Sequence, residues 1–220
     1  MYLSKNLISR NLKGKTRPKK EILVATENHG KAAEIQEIFK DTPYKLRFLY
    51  EFKDKIKAKI QENAMSFEGN ALIKVIVTGD LLNMVTLGDD TGLVVAALNG
   101  RPGVKSGRYA GTGRDEDNVK KILEEMKNVP FEKRDGYFNC TVAIYDPATK
   151  FVKTVEGIWE GKIGLEPKGN KSFGYAPIFL AKDFNFTKTS AELDTHELIK
   201  INHRGQAFSK AIKILDEYLK

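Results

Sequence analysis

The sequence predicts a mixed α/β domain, and three observations lead to this class. With 220 residues, of which 41% are hydrophobic and 30% charged, the chain is long enough to bury one core. Short apolar runs typical of buried strands are interspersed with segments whose apolar residues recur at helical spacing. Strand-like segments also follow one another directly across the turn at Asp146-Pro147. A fold with strict alternation of strands and helices would not show this, so we expect an α/β or α+β domain with a mixed sheet.

The first elements surround a strand-to-helix junction. The run EILVAT, residues 21–26, is bounded by charged residues and predicts a buried strand. Ile35 and Phe39 lie at helical spacing after it, so the junction falls at residues 26–31. The further elements in chain order are a strand over 44–52, a helix from about Phe67, a strand over 85–90 ending at an acidic pair, a helix over 114–129, two strands over 137–164 and an amphipathic helix over 205–219. Trp159, in the last of these strands, is expected to serve packing or a dimer contact rather than ligand binding.

The net charge of +8 comes from the N-terminal residues. Residues 1–20 contain seven Lys and Arg and no Asp or Glu, which leaves 30 basic and 29 acidic side chains in residues 21–220. We therefore expect a basic, disordered extension over 1–20 and a single, nearly neutral domain over 21–220. A basic tail can also be a targeting segment or bind polyanions weakly, but a disordered extension is the simpler interpretation.

Composition disfavours several classes of protein. The longest uninterrupted apolar run, residues 93–98, is too short to cross a bilayer. A nucleic-acid-binding module would rest on the basic tail alone, because the remaining body is nearly neutral. The single cysteine, Cys140, excludes an internal disulfide and is expected to be a buried, inert thiol in a reducing compartment. We expect a cytoplasmic protein with no membrane partner and no specific nucleic-acid partner, and leave organellar targeting by the tail open.

The acidic pair Asp89 and Asp90, at the end of an apolar strand, is the first functional signal. Adjacent carboxylates repel each other, so either water solvates both or a cation binds there. Proteins bind Mg²⁺ through a few carboxylate oxygens together with waters and substrate phosphates. Glu62 would complete such a partial shell, and Lys74, one helical turn after Asn70, would face the same phosphates.

The junction TENHGK, residues 26–31, is the second signal. A helix N-terminus presents free N–H groups and the positive end of the helix dipole, which favour phosphates. The hydroxyl of Thr26, the amide of Asn28 and the ammonium of Lys31 would complete a phosphate site. The spacing is not that of a Walker loop, and taken alone an ordinary helix cap with a solvated lysine explains it better.

Together these motifs resemble the Ham1-like nucleoside triphosphate pyrophosphatases, the inosine triphosphatase family, over nearly all of residues 21–220. The family motifs are T-x-N-x-x-K, a glutamate before T-F-x-E-N-A-x-x-K, D-D-S-G-L followed by G-x-P-G-x-x-S-A-R-Y, F-G-Y-D-P and S-H-R-G-x-A. Their counterparts here occur in the same order and are TENHGK, Glu62 with SFEGNALIK, DDTGLVVAALNGRPGVKSGRY, FGYAP and NHRGQA.

The resemblance implies a long mixed central sheet flanked by helices, two lobes with an active-site cleft between them, and a homodimer. It also implies hydrolysis of non-standard purine nucleoside triphosphates, such as ITP, dITP and XTP, to the monophosphate and pyrophosphate. Such an enzyme removes these nucleotides from the nucleotide pool. The cofactor implied is Mg²⁺, with Mn²⁺ as an alternative.

The resemblance also assigns roles to individual residues. Asp90 would be a metal ligand and the proton acceptor, Glu62 the second metal ligand, and Lys31 a catalytic cation, with Asp89 as a supporting acid. Phe173 would stack on the purine. The residues expected to contact the substrate are Thr26, Glu27, Asn28, His29, Gly30, Lys31, Lys74, Thr91, Phe173, Gly174, Tyr175, Ala176, His203 and Arg204.

The sequence departs from the family pattern in the base-recognition motifs. Ala176 replaces the aspartate of F-G-Y-D-P, Leu198 stands where a lysine is expected, and Asn202 replaces the serine of S-H-R. Lys200 would substitute for that lysine only if its loop shifts. Because a lost hydrogen-bonding partner relaxes selectivity, we expect altered base selectivity. A catalytically weakened nucleotide-binding or regulatory homologue is the alternative, and Mg²⁺-dependent pyrophosphate release separates the two.

Overall fold

The computed structural model describes residues 20–56 and 60–220, which form a six-stranded mixed sheet with helices on both faces. The predicted mixed α/β class is therefore confirmed. The strands are β1 (Lys20–Val24), β2 (Tyr44–Phe48), β3 (Thr86–Val95), β4 (Asp135–Asp146), β5 (Phe151–Ile163) and β6 (Phe179–Ala181). The helices are α1 (His29–Ile38), α2 (Phe67–Leu82), α3 (Asp115–Glu125), α4 (Thr195–Ile201) and α5 (His203–Tyr218). The expected N-terminal extension lies outside the described residues except for Lys20, which begins β1.

The strand order in the sheet is β2-β1-β3-β4-β5-β6. β2 and β3 both run parallel to β1, whereas β4, β5 and β6 each run antiparallel to the strand before them. Helices α1 and α5 cover one face of the sheet, and α2 packs on the other face against β3 and β4. Among residues 20–56 and 60–220, no helix is long and apolar enough to cross a membrane.

One edge of β3 is left open by the shortness of β1. The two strands pair only at Leu23–Thr86 and Val24–Leu87, whereas β3 continues along β4 as far as Val95. In the described part of the chain, residues 88–93 of β3 therefore have no strand on the β1 side. The expected end of this strand at Asp90 is wrong, because β3 continues to Val95. The polar residues Asp89, Asp90 and Thr91 interrupt the apolar pattern from which a strand is predicted, although backbone pairing with β4 continues.

The two larger buried apolar clusters lie in different parts of the domain, which we call its two lobes. The first lies between the sheet and helices α1 and α5, and includes Ile22, Ile35 and Phe208. The second surrounds the far ends of β3 and β5 and includes Leu93 and Phe179. A cleft with residues from both lobes in its lining runs along the open edge of β3.

Side-chain caps determine where the two helices at the cleft begin. Asn28 Oδ1 accepts a hydrogen bond from the backbone N–H of Lys31 at the start of α1, at 3.0 Å. Asn202 Oδ1 accepts one from Gly205 N–H at the start of α5, at 2.7 Å. Each cap satisfies an N–H group that the helix leaves unpaired. As a result, both helices begin with a turn that lines the cleft.

Candidate active site

Asp89 and Asp90 lie on the open edge of β3, where their side chains point to opposite faces of the sheet. This follows from their place inside a strand, because successive side chains alternate between the two faces. The contacts agree, since Asp89 meets Lys31 of α1 and Asp90 meets Asn70 of α2. Among the described residues, a different lysine lies near each charge: Lys31 pairs with Asp89, and Lys74 lies 3.9 Å from Asp90. The two carboxylates are kept apart by the pleat, and each has its own partners.

Asp89 is a buried, ion-paired carboxylate. Only 1% of the residue is exposed, and its Oδ2 accepts hydrogen bonds from Lys31 Nζ at 2.7 Å and from Thr91 Oγ1 at 2.5 Å. Burial alone would raise the pKa of Asp89, but the charges of Lys31, Arg204 and Lys74 outweigh burial and hold the pKa well below its ordinary value. The lowered pKa favours the ionised form of Asp89, so this carboxylate is less suited than a group with a raised pKa to accepting a proton.

Asp90 is the more basic of the pair. Its Oδ2 accepts a hydrogen bond from Asn70 Nδ2 at 3.0 Å, and its Oδ1 lies 3.9 Å from Lys74 Nζ. Burial raises the pKa of Asp90 above its ordinary value, against the opposing effects of Lys74 and of the Asn70 hydrogen bond. A raised pKa brings a carboxylate closer to the value that suits a general base at neutral pH.

Lys74 connects Glu62 to the acidic pair. Its ammonium donates to the backbone oxygen of Asp89 at 2.6 Å and lies 3.0 Å from Glu62 Oε2. Burial would lower the pKa of Lys74, but Asp89, Glu62 and Asp90 together raise it. Glu62 and Asp90, predicted as the two metal ligands, are thus brought to one place. We call the group Lys31, Glu62, Lys74, Asp89 and Asp90 the carboxylate end of the cleft. Lys31 lines the cleft itself, and the other members adjoin it through the contacts of Lys31 with Asp89 and of Lys74 with its neighbours.

The carboxylate end offers oxygen donors of the kind that hard cations prefer. Glu62 and Asp90 supply carboxylate oxygens, and the carbonyl of Asp89 points to the same place. Within residues 20–56 and 60–220, no cluster contains three His, Cys, Asp or Glu side chains suited to holding a metal. Two carboxylates are enough for Mg²⁺, which keeps several waters and takes its other ligands from substrate phosphates. The residues present therefore fit this cation as a partner of the substrate.

The segment 26–31 begins α1 and supplies part of the cleft wall. Thr26 Oγ1 accepts a hydrogen bond from Asn28 N–H at 3.2 Å, so both polar side chains predicted to bind phosphate also shape the helix start. Asn28 and Lys31 line the cleft. Glu27 and His29 are exposed, and the His29 ring packs against Tyr50 with the ring centroids 5.2 Å apart. No acidic residue occupies the first turn of α1, so its positive end is not neutralised locally.

The other end of the cleft is a cavity of about 140 Å³ with mostly neutral walls. This volume is close to that of the ~150 Å³ cavity that admits benzene in a well-studied case, so it suits a planar ring system rather than a triphosphate. We call Phe138, Trp159, Phe173, Tyr175 and His203, which line this cavity, its aromatic end. The structure places the predicted residues Thr91, Gly174, Ala176 and Arg204 in the same lining.

His203 is a buried, neutral imidazole. Its ring stacks on Phe138 with centroids 4.7 Å apart, and burial holds the pKa of His203 well below its usual value. Its Nδ1 is buried and has no hydrogen-bond partner among the described residues. Buried polar atoms without a partner are rare and call for an explanation, such as a missing ligand.

Arg204 is held by Glu34, a residue that the sequence analysis missed. Arg204 Nη1 donates to Glu34 Oε2 at 2.8 Å, and Asn202 Nδ2 donates to the same oxygen at 2.9 Å. Arg204 Nε has no partner in the described part of the chain. Glu34 lies one helical turn after Lys31 and also lines the cavity. The spacing of Glu34 and Lys31 could be read from the sequence. The pairing of Glu34 with Arg204 could not, because the two residues are 170 positions apart.

The segment Phe173–Tyr175 crosses from one wall of the cleft to the other. The Phe173 ring packs on Gly30, where an added Cβ would lie 2.5 Å from Phe173 Cδ1. The Arg204 guanidinium lies 5.7 Å from the centre of the same ring. On the opposite wall, Tyr175 donates its hydroxyl hydrogen to the backbone oxygen of Ser106 at 2.8 Å. This segment therefore covers the cavity and ties its walls together.

Several cavity residues differ from the sequence-based expectations. Trp159 was expected to serve packing or a dimer contact rather than ligand binding. It does pack in the second apolar cluster, against Phe179 with ring centroids 5.1 Å apart, and it also lines the cavity. Its Nε1 donates to Asp183 at 2.7 Å. Leu198 on α4 lines the cavity as well, whereas Lys200 is exposed and lies outside the lining. Lys200 therefore does not substitute for the lysine expected at Leu198 in this structure. Phe138 and Asp115 also line the cavity and carried no signal in the sequence.

Comparison with known proteins places the chain in a family. The sequence model of the Ham1 family matches residues 22–214. A curated dITP/XTP pyrophosphatase of Bacillus subtilis (strain 168) is 41% identical over 198 residues, covering 90% of this chain and 98% of the relative. The dITP/XTP pyrophosphatase of Lactococcus lactis subsp. lactis is 36% identical over 203 residues, covering 91% of this chain and 98% of the relative.

Solved structures of Ham1 proteins also resemble this chain. A HAM1 protein from Coxiella burnetii superposes with a TM-score of 0.79 at 36% identity, covering 90% of this chain and 99% of that one. The Ham1 protein of Staphylococcus aureus superposes with a TM-score of 0.78 at 33% identity, covering 90% of this chain and 100% of that one. With its five motifs in order, its matching fold and relatives of this similarity, the chain belongs to the Ham1 family.

Proposed function

We propose that this protein hydrolyses non-standard purine nucleoside triphosphates, such as ITP, dITP and XTP, to the monophosphate and pyrophosphate. The observation that carries the proposal is the convergence of Glu62, Asp90 and Lys74 beside a cavity that fits one planar ring system. The relatives are named for dITP and XTP, and membership in the Ham1 family supports the same reaction. The whole of residues 21–220 is proposed to act as one domain.

The chemistry follows from the charges at the carboxylate end. Water attacks the α-phosphorus, and Asp90, with its raised pKa, accepts the proton that the water loses. Lys31 and Lys74 leave their carboxylate partners in part and balance the charge on the phosphate oxygens and on the departing pyrophosphate. Glu62 and Asp90 would hold Mg²⁺ or Mn²⁺, which supplies further charge stabilisation and orients the phosphates.

Base recognition is assigned to the aromatic end. The unpartnered Nε of Arg204 is a hydrogen-bond donor, and the Nδ1 of the neutral His203 is a donor or an acceptor according to its tautomer. A purine with an oxygen at its six-position offers an acceptor to the Arg204 donor, whereas the amino group of adenine does not. Phe173 would stack on the ring. These groups favour hypoxanthine and xanthine over adenine.

A panel of triphosphates tests the proposal. Pyrophosphate release is measured with ITP, dITP, XTP, GTP, ATP and a pyrimidine triphosphate, each with Mg²⁺, with Mn²⁺ and with a chelator. We expect metal-dependent release of pyrophosphate from ITP, dITP and XTP, with ATP hydrolysed far more slowly. Release of single phosphates instead of pyrophosphate, or activity that persists with the chelator, would contradict the proposed reaction.

Base selectivity is proposed to be altered relative to the family pattern. Ala176 and Leu198 place apolar groups in the cavity wall where the family has an aspartate and a lysine. The cavity therefore has fewer hydrogen-bonding groups that can distinguish one base from another. The test is the ratio of kcat/KM for ITP and GTP in the wild type and in Ala176→Asp. We expect the substitution to raise this ratio, and a wild type that already discriminates strongly would contradict the proposal.

The alternative function is that of a nucleotide-binding or regulatory homologue with weak catalysis. The same two replacements, Ala176 and Leu198, favour it, whereas the paired arrangement of Glu62, Asp90 and Lys74 favours an enzyme. If IMP and ITP bind but no triphosphate in the panel releases pyrophosphate, the regulatory function is the better explanation.

We also propose a homodimer located in the cytoplasm, as the resemblance implies. Helix α2 leaves Ile76, Val77 and Leu81 between 40% and 54% exposed, and exposed apolar groups of this size are common at subunit contacts. The molar mass from light scattering should correspond to two chains, and Val77→Glu should shift it toward one. An unchanged monomeric mass in both proteins would contradict the dimer.

A further inference from the structure

The cavity wall contains a carboxylate that the proposed reaction does not use. Asp115, the first residue of α3, lies in the lining of the cavity, and its Oδ2 accepts a hydrogen bond from the backbone N–H of Gly174 at 2.8 Å. Among the described residues, this is the one hydrogen bond of the Asp115 side chain. The bond joins α3 directly to the segment Phe173–Tyr175 that covers the cavity.

Gly174 is placed to make this bond by its backbone conformation. Its φ is +65°, in the left-handed region that glycine adopts at little cost. An added Cβ at Gly174 would have no atom within 4 Å, so the position requires glycine for its conformation rather than for lack of space. The turn directs the N–H of Gly174 toward Asp115, while the neighbouring Phe173 ring lies against Gly30 on the other wall.

The neighbouring acid shows that helix electrostatics alone do not account for Asp115. Asp115 and Glu116 both lie in the first turn of α3, where negative charge is favourable to the helix dipole. Glu116 is 79% exposed at its side chain and lies 3.8 Å from Arg114. Among the described residues, it makes no hydrogen bond to the segment Phe173–Tyr175, although it borders the same surface pocket. The two residues therefore share the charge and the helix position but differ in the bond to Gly174.

We propose that Asp115 is a positioning residue that holds the segment Phe173–Tyr175 over the aromatic end, and so sets how tightly the nucleotide base is bound. This inference rests on the proposed function for the identity of the nucleotide. A hydrogen bond to an ionised acceptor is stronger than one to a neutral acceptor. Asp115 therefore favours the covered state of the cavity before any ligand binds. Base binding then loses less conformational entropy, because the segment Phe173–Tyr175 is already ordered.

The first test needs no nucleotide. Trp159 is the single tryptophan of the chain and lines the cavity at 3% exposure, so its fluorescence reports whether the cavity is covered. We expect Asp115→Ala to increase acrylamide quenching of Trp159, Asp115→Asn to increase it less, and Glu116→Ala to leave it unchanged. The asparagine variant retains a neutral acceptor oxygen in nearly the same place. Equal quenching in the wild type and in Asp115→Ala would overturn the proposal.

The second test separates base binding from phosphate binding. The dissociation constant of IMP is measured by Trp159 fluorescence, and inorganic tripolyphosphate, which lacks a base, is used as an inhibitor of ITP hydrolysis. In Asp115→Ala we expect IMP binding to weaken by about tenfold, the loss of one charge-assisted hydrogen bond, with KM for ITP rising in parallel. The kcat should stay within about threefold, since Asp115 does not touch the phosphates in this interpretation. The inhibition constant of tripolyphosphate should not change.

Two outcomes would overturn the proposal. Weakening of IMP and tripolyphosphate to the same extent would mean that Asp115 supports the whole cleft and not its cover. The same changes in Glu116→Ala would assign the effect to charge in the first turn of α3. If the wild type hydrolyses no triphosphate, the proposed reaction fails, yet the quenching comparison still decides the role of Asp115.

Discussion

The two ends of the cleft differ in how their polar groups are satisfied. At the carboxylate end, Lys31 is paired with Asp89 and Lys74 with Glu62, so both ammonium groups already have carboxylate partners within the protein. At the aromatic end, the Nδ1 of His203 and the Nε of Arg204 are buried without a partner in the described residues. The first end must exchange partners when phosphates arrive, whereas the second has hydrogen-bonding groups ready for a base. Substitutions at the first end should therefore alter rate and stability, and those at the second should alter affinity.

The contrast is sharpest between the neighbours Asp89 and Asp90. They differ by one position in β3, yet the pKa of Asp89 is lowered and that of Asp90 is raised. The cause is the alternation of the strand, which turns one side chain toward the cations of α1 and α5 and the other toward Asn70 and Lys74 of α2. One carboxylate is thus suited to holding structure and the other to accepting a proton.

The largest expected effect is that of Asp90→Asn on catalysis. If Asp90 is the proton acceptor, as proposed, its removal should lower kcat by about 10³-fold, within the range for general-base catalysis. Because burial already disfavours the ionised form of Asp90, a neutral amide at this position should not destabilise the fold. The measurements are kcat for ITP and the unfolding midpoint in urea. If Asp90→Asn unfolds readily, or keeps most of its activity, then Asp90 does not have a catalytic role distinct from the structural role of Asp89.

The next effect is that of Asp89→Asn on stability. The substitution breaks a buried ion pair and leaves Lys31 uncompensated, which costs about 3 kcal/mol in typical cases. Urea unfolding followed by circular dichroism measures this loss, and Asp135→Asn is the control, because Asp135 is an exposed acid paired with Lys162 and its replacement should leave the midpoint nearly unchanged. Equal midpoints for the wild type and Asp89→Asn would show that the Lys31 pair does not support the fold.

The same pair of acids predicts two separate losses as the pH falls. Asp89 has a folded pKa below its unfolded value, so its contribution to stability is present above the unfolded pKa of about 3.9 and is lost as the pH falls through the folded pKa. Asp90 has a raised pKa and must be ionised to act, so kcat/KM should fall at a higher pH than the fold does. Profiles of kcat/KM and of circular dichroism against pH measure the two losses.

One substitution should change the pH at which activity is lost much more than the pH at which the protein unfolds. The hydrogen bond from Asn70 lowers the pKa of Asp90, so Asn70→Ala should shift the acid limb of the kcat/KM profile to higher pH. The acid unfolding curve, which depends on groups such as Asp89, should shift much less. If activity and structure are lost together in the wild type, the assignment of the acid limb to Asp90 fails.

The sequence was informative about local structure and about the carboxylate end. Apolar residues at helical spacing indicated α1 and α5, and a helix was expected from about Phe67, where α2 begins. The predicted residues Glu62 and Asp90 both lie within 4 Å of Lys74, and Lys31 pairs with Asp89, the neighbour of Asp90 in β3. Their convergence was inferred through a resemblance, since nothing in their spacing along the chain requires it.

Long-range partners explain what the sequence did not indicate. The open edge of β3 depends on where β1 stops pairing, and this is a property of two strands more than sixty positions apart. The partners of Glu34 and Asp115 lie on α5 and in the cover of the cavity, so neither acid differs locally from a surface residue. Leu198 was noticed as a missing lysine, yet its place in the cavity wall follows from how α4 packs.

The smallest predicted effect tests the aromatic end from the opposite wall. In Gly30→Ala, the new Cβ would lie 2.5 Å from the Phe173 ring, so the ring must move away from α1. Alanine is the better helix former by up to about 1 kcal/mol, and the fold should not lose stability. We expect KM for ITP to rise about fivefold with kcat within about twofold, the pattern of lost uniform binding.

A double-mutant cycle decides whether this effect acts through Phe173. In the Phe173→Ala background the added methyl group meets no ring, so Gly30→Ala should have almost no further effect on KM. Additive effects would mean that Gly30 matters through the backbone of segment 26–31 and its contact with phosphates. In that case Gly30, and with it the first turn of α1, would belong to the carboxylate end and not to the aromatic end.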